Sequence, residues 1–314
     1  MSKLKSTVTN ITSNPTAAGR RLRRRIGFPD LTFFEPLFKS KLRKAAVAVV
    51  FFYIVMAFIG PDLAPHGPFE TQRTEAGRVI SLSSPSWEYP MGTTNFGFDV
   101  FSQTLRAFQI SVFVGAGSAT MIVFIGMNLG LISGYFGGKV DSLIMGMTDV
   151  IYGLPLLPFG IVFVAVLGQS DLNIVLVIGL LVWRTIARIT RSETLTLRER
   201  EFIKGARAAG SSHFTIIYKH ILPNLIPLIV LYFVFGAIWG IMIEASLSFL
   251  GLGDPNTVSW GLMLYRVYSG GVFTEALWWV FFPALALFIF IMSLYIIARA
   301  LEENVDATDA VAGE

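Results

Sequence analysis

The residues that could do chemistry in this chain are few and widely spaced. His213 and His220 are seven residues apart and fall on one face of a helix. A metal site needs further converging ligands, and none are evident, so we expect no metal ion. The run 137–139, Gly-Gly-Lys, is followed by valine and lacks the spacing and hydroxyl of a phosphate-binding loop. We therefore expect no nucleotide bound by this chain and no catalytic residues.

A second group of polar residues lies in or beside long apolar segments. An ionisable residue near the membrane is a functional candidate by default, and Glu244 falls at the end of such a segment. The alternative is that this carboxylate only caps a helix end or pairs with a group of the outer leaflet. Trp239 and Asn128 are of a kind that packs more often than it lines a pore. The candidates for a translocation path or gate are Glu244, Ser246, Ser248, Trp239 and Asn128.

The composition places these candidates in a membrane protein. The 314 residues are 54% hydrophobic and only 15% charged, and the mean hydropathy is +0.63. Soluble domains average about 25% charged residues. Cysteine is absent, which excludes disulfides and thiolate chemistry. Since a spanning helix needs about 20 apolar residues, the sequence predicts an all-α polytopic protein. Its six transmembrane helices are expected at 42–60, 110–133, 149–168, 172–190, 224–245 and 277–298, the third kinked or broken by Pro155 and Pro158.

The basic residues orient these spans. Of the 25 Lys and Arg residues, 21 fall on one side of the predicted membrane and four on the other. The positive-inside rule then places both termini and the 191–222 loop in the cytoplasm, with loops 61–109 and 246–276 outside. The Arg-rich run 20–25 is expected to anchor near anionic lipid. The alternative for it is an organelle transit peptide.

The segment 191–223 is unusually long and polar for a connection between two spans. It is predicted to form two short helices, the first ended by a left-handed Gly210 and the second capped by serine. The second helix would carry Phe214, Ile217, Tyr218 and Ile221 on one face. By periodicity and charge alone, an ordinary interfacial amphipathic helix is an equal alternative.

Three stretches carry a family resemblance. Lys204 to Ser212, followed by His-Ile-Leu-Pro-Asn at 220–224, resembles the cytoplasmic coupling loop, or EAA loop, of ABC-importer permeases. Residues 89–102 and 244–253, the latter followed by Ser-Trp-Gly at 259–261, resemble the C-type permease of the dipeptide/oligopeptide/nickel group. The likeness runs from about residue 35 to 300. The chain departs from the family pattern at Lys204, Gly205, Thr94 and Phe98.

The resemblance implies a transport subunit and not an enzyme. Its partners would be a second, B-type permease, two ABC ATPase subunits and an extracytoplasmic substrate-binding protein. This chain would bind no cofactor, because the partner subunits would use the ATP and Mg. The protein would lie in the cell membrane. The residues that would couple to the ATPases are Glu201, Lys204, Gly205, Ala206, Arg207, Ala209, Gly210, Ser211 and Ser212.

The resemblance favours di- or oligopeptides as substrates, with oligosaccharides or nickel complexes as alternatives. Alternatives of other classes are an ion-coupled secondary transporter and a membrane scaffold protein. A secondary transporter is expected to carry acidic residues in mid-span, and this chain has almost none. The chain is accordingly divided into a basic N-terminal segment (1–41), a first helix with its outer loop (42–107), a five-helix core (108–300) and a cytoplasmic tail (301–314).

Overall fold

The structure is a computed structural model that describes residues 31–312, so the Arg-rich run 20–25 lies outside it. Within this range the chain is helical, with isolated bridges but no strand. A 3-10 helix at Leu31–Phe38 is followed by α1 (Lys41–Leu63), α2 (Val100–Phe136), α3 (Gly138–Gly153), α4 (Leu156–Leu167), α5 (Asp171–Val182), α6 (Arg184–Arg198), α7 (Glu201–Ala208), α8 (His213–Phe249), α9 (Trp260–Ser269) and α10 (Leu277–Ala312).

Four helices in the described range are long and apolar enough to cross a membrane: α1, α2, α8 and the Leu277–Glu303 part of α10. Two bent pairs bring the number to six if each pair is one span. The pair α3–α4 bends by 92° and the pair α5–α6 by 44°. The predicted all-α polytopic fold is confirmed, and so is the break in the third span, where Pro155 stands at the N-cap of α4. The third span was placed too late, because α3 already begins at Gly138.

Helix α2 is the centre of the bundle, and one of its faces is built from glycines. Gly126, Gly130 and Gly134 are four residues apart and lie on the face that meets α6. A Cβ atom at Gly126 would stand 2.6 Å from the Trp183 carbonyl oxygen, and one at Gly130 would stand 2.6 Å from that of Ala187. Small residues at this spacing let two helix backbones approach closely, which is how helices associate where water provides no driving force.

The second face of α2 packs against α8 by the same means. A Cβ atom at Gly240 would lie 2.7 Å from the Ser118 Cβ, and one at Gly236 would lie 3.1 Å from the Ala119 Cα. Both helices contribute glycines here, since a Cβ atom at Gly115 of α2 would lie 2.9 Å from Ile241 Cγ1 of α8. Helix α2 is therefore held between α6 and α8 by close backbone contact on two sides.

The bundle has two distinct ends. The loop end carries residues 64–99 and 250–276, and the basic end carries α7 and the termini of α1, α2 and α10 that point the same way. At the loop end Asp99 caps α2 by accepting from the backbone N–H groups of Phe101 and Ser102, each at 3.1 Å. The Ser102 side chain is tied in turn to His66, whose backbone N–H donates to Ser102 Oγ at 3.1 Å. The loop thus folds back onto the first turn of α2.

Candidate functional site

Helix α7 is anchored to the bundle by a single buried side chain. Ile203 is fully buried, whereas Glu201, Lys204, Gly205 and the residues from Arg207 to Gly210 are exposed. Ile203 packs in an apolar cluster whose other buried members come from α2 and α8: Leu131, Tyr135, Ile216, Ile217, Ile221 and Leu225. The segment between the fourth and fifth spans is therefore docked on the basic end of α2, with most of α7 presented outward.

The turn after α7 has the predicted geometry. Gly210 has φ +78°, the left-handed region where glycine carries no penalty. The Ser211 N–H donates to the Ala206 carbonyl and the Gly210 N–H to that of Arg207, both at 3.1 Å, which satisfies the last carbonyls of α7. Ser212 then caps α8, since its Oγ accepts from the Thr215 N–H at 3.2 Å. The predicted break and serine cap are both confirmed.

The start of α8 corrects the predicted helical face. Residues Ile216–Ile221 form a π-helix, in which the turn is wider than in an α-helix. The consequence is that Ile216 is buried, and Phe214, predicted on the packed face, is 69% exposed. The prediction assumed a period of 3.6 residues. Pro223 follows this segment and has no N–H to donate, so the wider turn lies within α8, shortly before that proline.

Polar contacts fasten this segment to α2. The Tyr135 hydroxyl is hydrogen-bonded to His213 Nδ1 at 2.9 Å, and Arg198 Nη1 donates to the Gly134 carbonyl at 2.9 Å. Tyr218 Oη donates to Asn128 Oδ1 at 2.7 Å. Nothing in the sequence marks Tyr135 as a functional residue, and Asn128 is predicted from the sequence to belong to the translocation path. The structure places Asn128 against Tyr218 at the start of α8, in the same C-terminal part of α2 as Tyr135.

The exposed surface of α7 combines charged, small and aromatic residues. Lys204 Nζ lies 3.5 Å from Glu201 Oε1, an exposed pair one helical turn apart. A Cβ atom at Gly205 would meet nothing within 4 Å. Phe202 and Phe214 stand beside this surface, 48% and 69% exposed. Aromatic side chains and arginine, present here as Phe202, Phe214 and Arg207, are enriched where proteins contact one another.

The other candidate group surrounds Glu244, close to the loop end of α8. Glu244 is fully buried, and Ser248 Oγ donates to its Oε1 at 2.6 Å. Oε2 has no hydrogen-bond partner among the described residues. Ser246 turns away, because its Oγ donates to the Met242 carbonyl at 2.8 Å. Trp239, five residues before Glu244, stacks on Phe235 of the same helix. The structure therefore joins Glu244 with Ser248 and leaves Ser246 and Trp239 apart.

Segment 250–261 closes over Glu244. A Cβ atom at Gly253 would lie 2.7 Å from Ser248 Oγ, and one at Gly261 would lie 2.6 Å from the Ala245 carbonyl oxygen. The backbone of this segment can reach α8 because both positions lack a side chain. Within residues 31–312 no group of three or more His, Cys, Asp or Glu side chains is placed to hold a metal ion. What the arrangement offers is a buried carboxylate under a close-packed loop.

The comparison with protein families decides what kind of protein has this architecture. Residues 126–307 match the family described as "Binding-protein-dependent transport system inner membrane component". The chain belongs to this family. It is therefore the membrane component of an ABC transporter, a transport subunit and not an enzyme. The matched region begins on the glycine face of α2 and includes α7, α8 and the Glu244 region.

Relatives with known names extend the match to most of the chain. The dipeptide transport system permease protein DppC of Bacillus subtilis (strain 168) is 33% identical over 288 residues, which is 88% of this chain and 87% of that protein. The glutathione transport system permease protein GsiD of Pectobacterium atrosepticum is 31% identical over 88% of this chain and 91% of its own length. A solved MetNI methionine ABC transporter structure has 17% identity and a TM-score of 0.46, covering 63% of this chain and 96% of the matched one.

Proposed function

We propose that this permease carries di- or oligopeptides across the cell membrane together with a second permease of the B type. The proposal is supported by relatives whose names specify dipeptides, glutathione and, in Haemophilus influenzae, oligopeptides. Oligosaccharides and nickel complexes are the alternative cargoes. Family membership in a binding-protein-dependent system excludes the ion-coupled transporter.

The proposed coupling surface is α7 with the turn that follows it. The observation that supports this role is that the segment is fixed to α2 and α8. Each of two ABC ATPase subunits would dock on one permease, here on Glu201, Lys204, Gly205, Ala206, Arg207, Ala209, Gly210, Ser211 and Ser212. The exposed small residues would sit against the ATPase, and the charges would set the register. Since Ile203 and the Tyr135–His213 contact fasten this segment to α2 and α8, a displacement of α7 would move both helices.

In the proposed transport cycle, the partner subunits carry out the ATP chemistry. The ATPases would bind ATP and Mg, and closure of the ATPase pair would pull on α7. The permease pair would then alternate between inward- and outward-open forms. An extracytoplasmic binding protein would deliver substrate at the loop end. Glu244 and Ser248 would act there as part of a gate, because they lie under segment 250–261, where the outer loop meets α8.

The test of this function is purification of the chain from native membranes in mild detergent, with mass spectrometry of the co-purifying proteins. We expect a second permease, ATPase subunits and a binding protein. The recovered binding protein is then titrated with dipeptides, oligopeptides, oligosaccharides and nickel complexes. Recovery of the chain alone would contradict the coupling role, and selective binding of a sugar would contradict the peptide assignment.

The proposed topology has both termini and α7 in the cytoplasm. The absence of cysteine makes this directly measurable, because any introduced thiol is the sole one in the chain. Cysteine in place of exposed Ser212 is expected to resist a membrane-impermeant maleimide in intact cells. It is expected to react once the cells are lysed and the ATPase subunits, which would dock on this residue, are stripped off. Cysteine in place of Ser81, at the loop end, is expected to react in intact cells. The reverse pattern would invert the proposed orientation.

A further inference from the structure

An apolar cavity of about 230 Å³ lies inside the ring formed by α1, α2, α8 and α10. All the side chains around it are hydrocarbon or aromatic, from Val50 and Ile54 on α1 to Phe290 and Leu294 on α10. An engineered cavity of about 150 Å³ with similar walls stays dry and takes up benzene. The chemistry of this cavity is therefore suited to hydrocarbon and unsuited to a peptide, an ion or water.

Packed side chains border the cavity at both ends. Towards the loop end, Phe290 stacks on Tyr53 with ring centroids 4.6 Å apart. Towards the basic end, the lining residues Val234 and Ile297 pack against the buried cluster that includes Phe33 and Leu37 of the 3-10 helix. The side of the cavity is less covered.

The side opening is marked by the exposed members of the lining. Ile54 on α1 is 41% exposed and Phe233 on α8 is 39% exposed, and Ala116 on α2 is exposed as well. These three residues come from helices that are long and apolar enough to cross a membrane. In a bilayer, such a lateral opening faces acyl chains.

A track on α1 leads from this opening to a positive charge. Lys44, Phe51 and Ile54 are seven and three residues apart, so they follow one face of the helix, and all three are exposed. Lys44 forms no ion pair with the described residues, unlike its neighbour Arg43, which pairs with Glu303 at 2.7 Å. From Lys44 to Ile54 the helix rises roughly 15 Å at 1.5 Å per residue.

We propose that this cavity binds an acyl chain of an anionic phospholipid whose phosphate lies at Lys44. The chain would follow the exposed track on α1 and enter between Ile54, Ala116 and Phe233. Scaled from the benzene-sized cavity, the volume accommodates about nine carbons. Inside a bilayer the gain is in packing, because an empty cavity forfeits contacts with its lining. This binding site is separate from the proposed transport role and does not depend on it.

The experiment uses the full chain in nanodiscs, with whatever subunits co-purify, and phospholipids carrying a diazirine in the acyl chain. One probe has a phosphatidylglycerol head group and the other a phosphatidylcholine head group. After illumination, mass spectrometry locates the label. We expect label on Ile54, Val112 and Phe233, more from the anionic probe, exceeding the label on exposed residues elsewhere on α1 and α8.

Three variants make the result decisive. Ala116→Phe fills the opening and is expected to remove the label, while Thr120→Phe adds the same ring one turn away, outside the lining, and is expected to retain it. Lys44→Gln changes only an exposed side chain and is expected to abolish the preference for the anionic probe. Equal labelling by both probes, unchanged labelling in Ala116→Phe, or cross-linking of a second permease into the opening would overturn the proposal.

Discussion

Gly205 offers the sharpest test of the coupling surface, because its replacement separates stability from docking. The residue is in the middle of α7, is exposed, and has no atom within 4 Å of the position its Cβ would take. Its backbone is helical, so no left-handed conformation requires glycine here. Gly210, by contrast, has φ +78°, so a larger residue there strains the chain itself and would confound the assay.

Replacing Gly205 should change the stability of α7 and the affinity for the ATPase in opposite directions. Alanine is favoured over glycine in a helix by about 1 kcal/mol, so Gly205→Ala and Gly205→Leu should stabilise α7 or leave it unchanged. At a closely fitted contact an added side chain costs about 1–3 kcal/mol. Since 1.4 kcal/mol is a factor of ten in affinity, Gly205→Leu should weaken ATPase docking by about 5- to 150-fold, and Gly205→Ala by less.

The assay compares membrane level, co-purification of ATPase subunits and substrate uptake in proteoliposomes. The matched control is Gly146→Leu, since Gly146 is also helical, exposed and without neighbours within 4 Å of a Cβ atom. We expect normal membrane levels for both variants, with uptake and ATPase recovery reduced only in Gly205→Leu. Wild-type uptake and full ATPase recovery in Gly205→Leu would refute the placement of α7 at the ATPase interface.

Three further perturbations test the packing and the links around the site. Gly130→Ala places a Cβ 2.6 Å from a carbonyl oxygen of α6, so we expect it to lower the free energy of unfolding by about 1–3 kcal/mol, measured by thermal unfolding in detergent. The control Gly117→Ala, whose closest contact is a side-chain carbon at 3.2 Å, should cost less. Equal melting temperatures for the two variants would argue against close packing at the glycine face. Tyr135→Phe removes the hydrogen bond to α8, so we expect more ATP hydrolysed per substrate imported at an unchanged membrane level, and an unaltered ratio would contradict the link. Ser248→Ala removes the hydroxyl that donates to the buried Glu244 carboxylate at 2.6 Å, at a cost of about 1–3 kcal/mol. That cost should largely disappear when Glu244→Met is already present; strictly additive losses would show that the two side chains do not interact.

The sequence was sufficient for the elements whose signals are local. Apolar length identified the spans, the prolines at 155 and 158 identified the break before α4, and the Gly-Ser-Ser at 210–212 identified the turn and cap after α7. Each of these depends on residues within a few positions of one another. The resemblance added the family, which the comparisons confirm.

The sequence was insufficient where the geometry depends on distant residues. The π-helix at Ile216–Ile221 changes which side chains face α2, and a period of 3.6 residues could not anticipate it. The sequence signal for this wider turn was the adjacent apolar pair Ile216 and Ile217, since neighbours in an α-helix rarely share a packed face. The roles of Tyr135 and Asn128 could not be predicted, because their partners are 78 and 90 residues away.

The unbroken length of α2 restricts which insertions and deletions this chain can accept during evolution. At 37 residues it is roughly 55 Å long, nearly twice the thickness of a hydrocarbon core. Its first turn is fixed by Asp99 and its last by Tyr135. Inserting or deleting one residue anywhere between them would rotate one end by about 100° against the other, moving the glycine face off α6. Descendants of this chain that keep the packing of α2 on α6 therefore keep the residue count of α2.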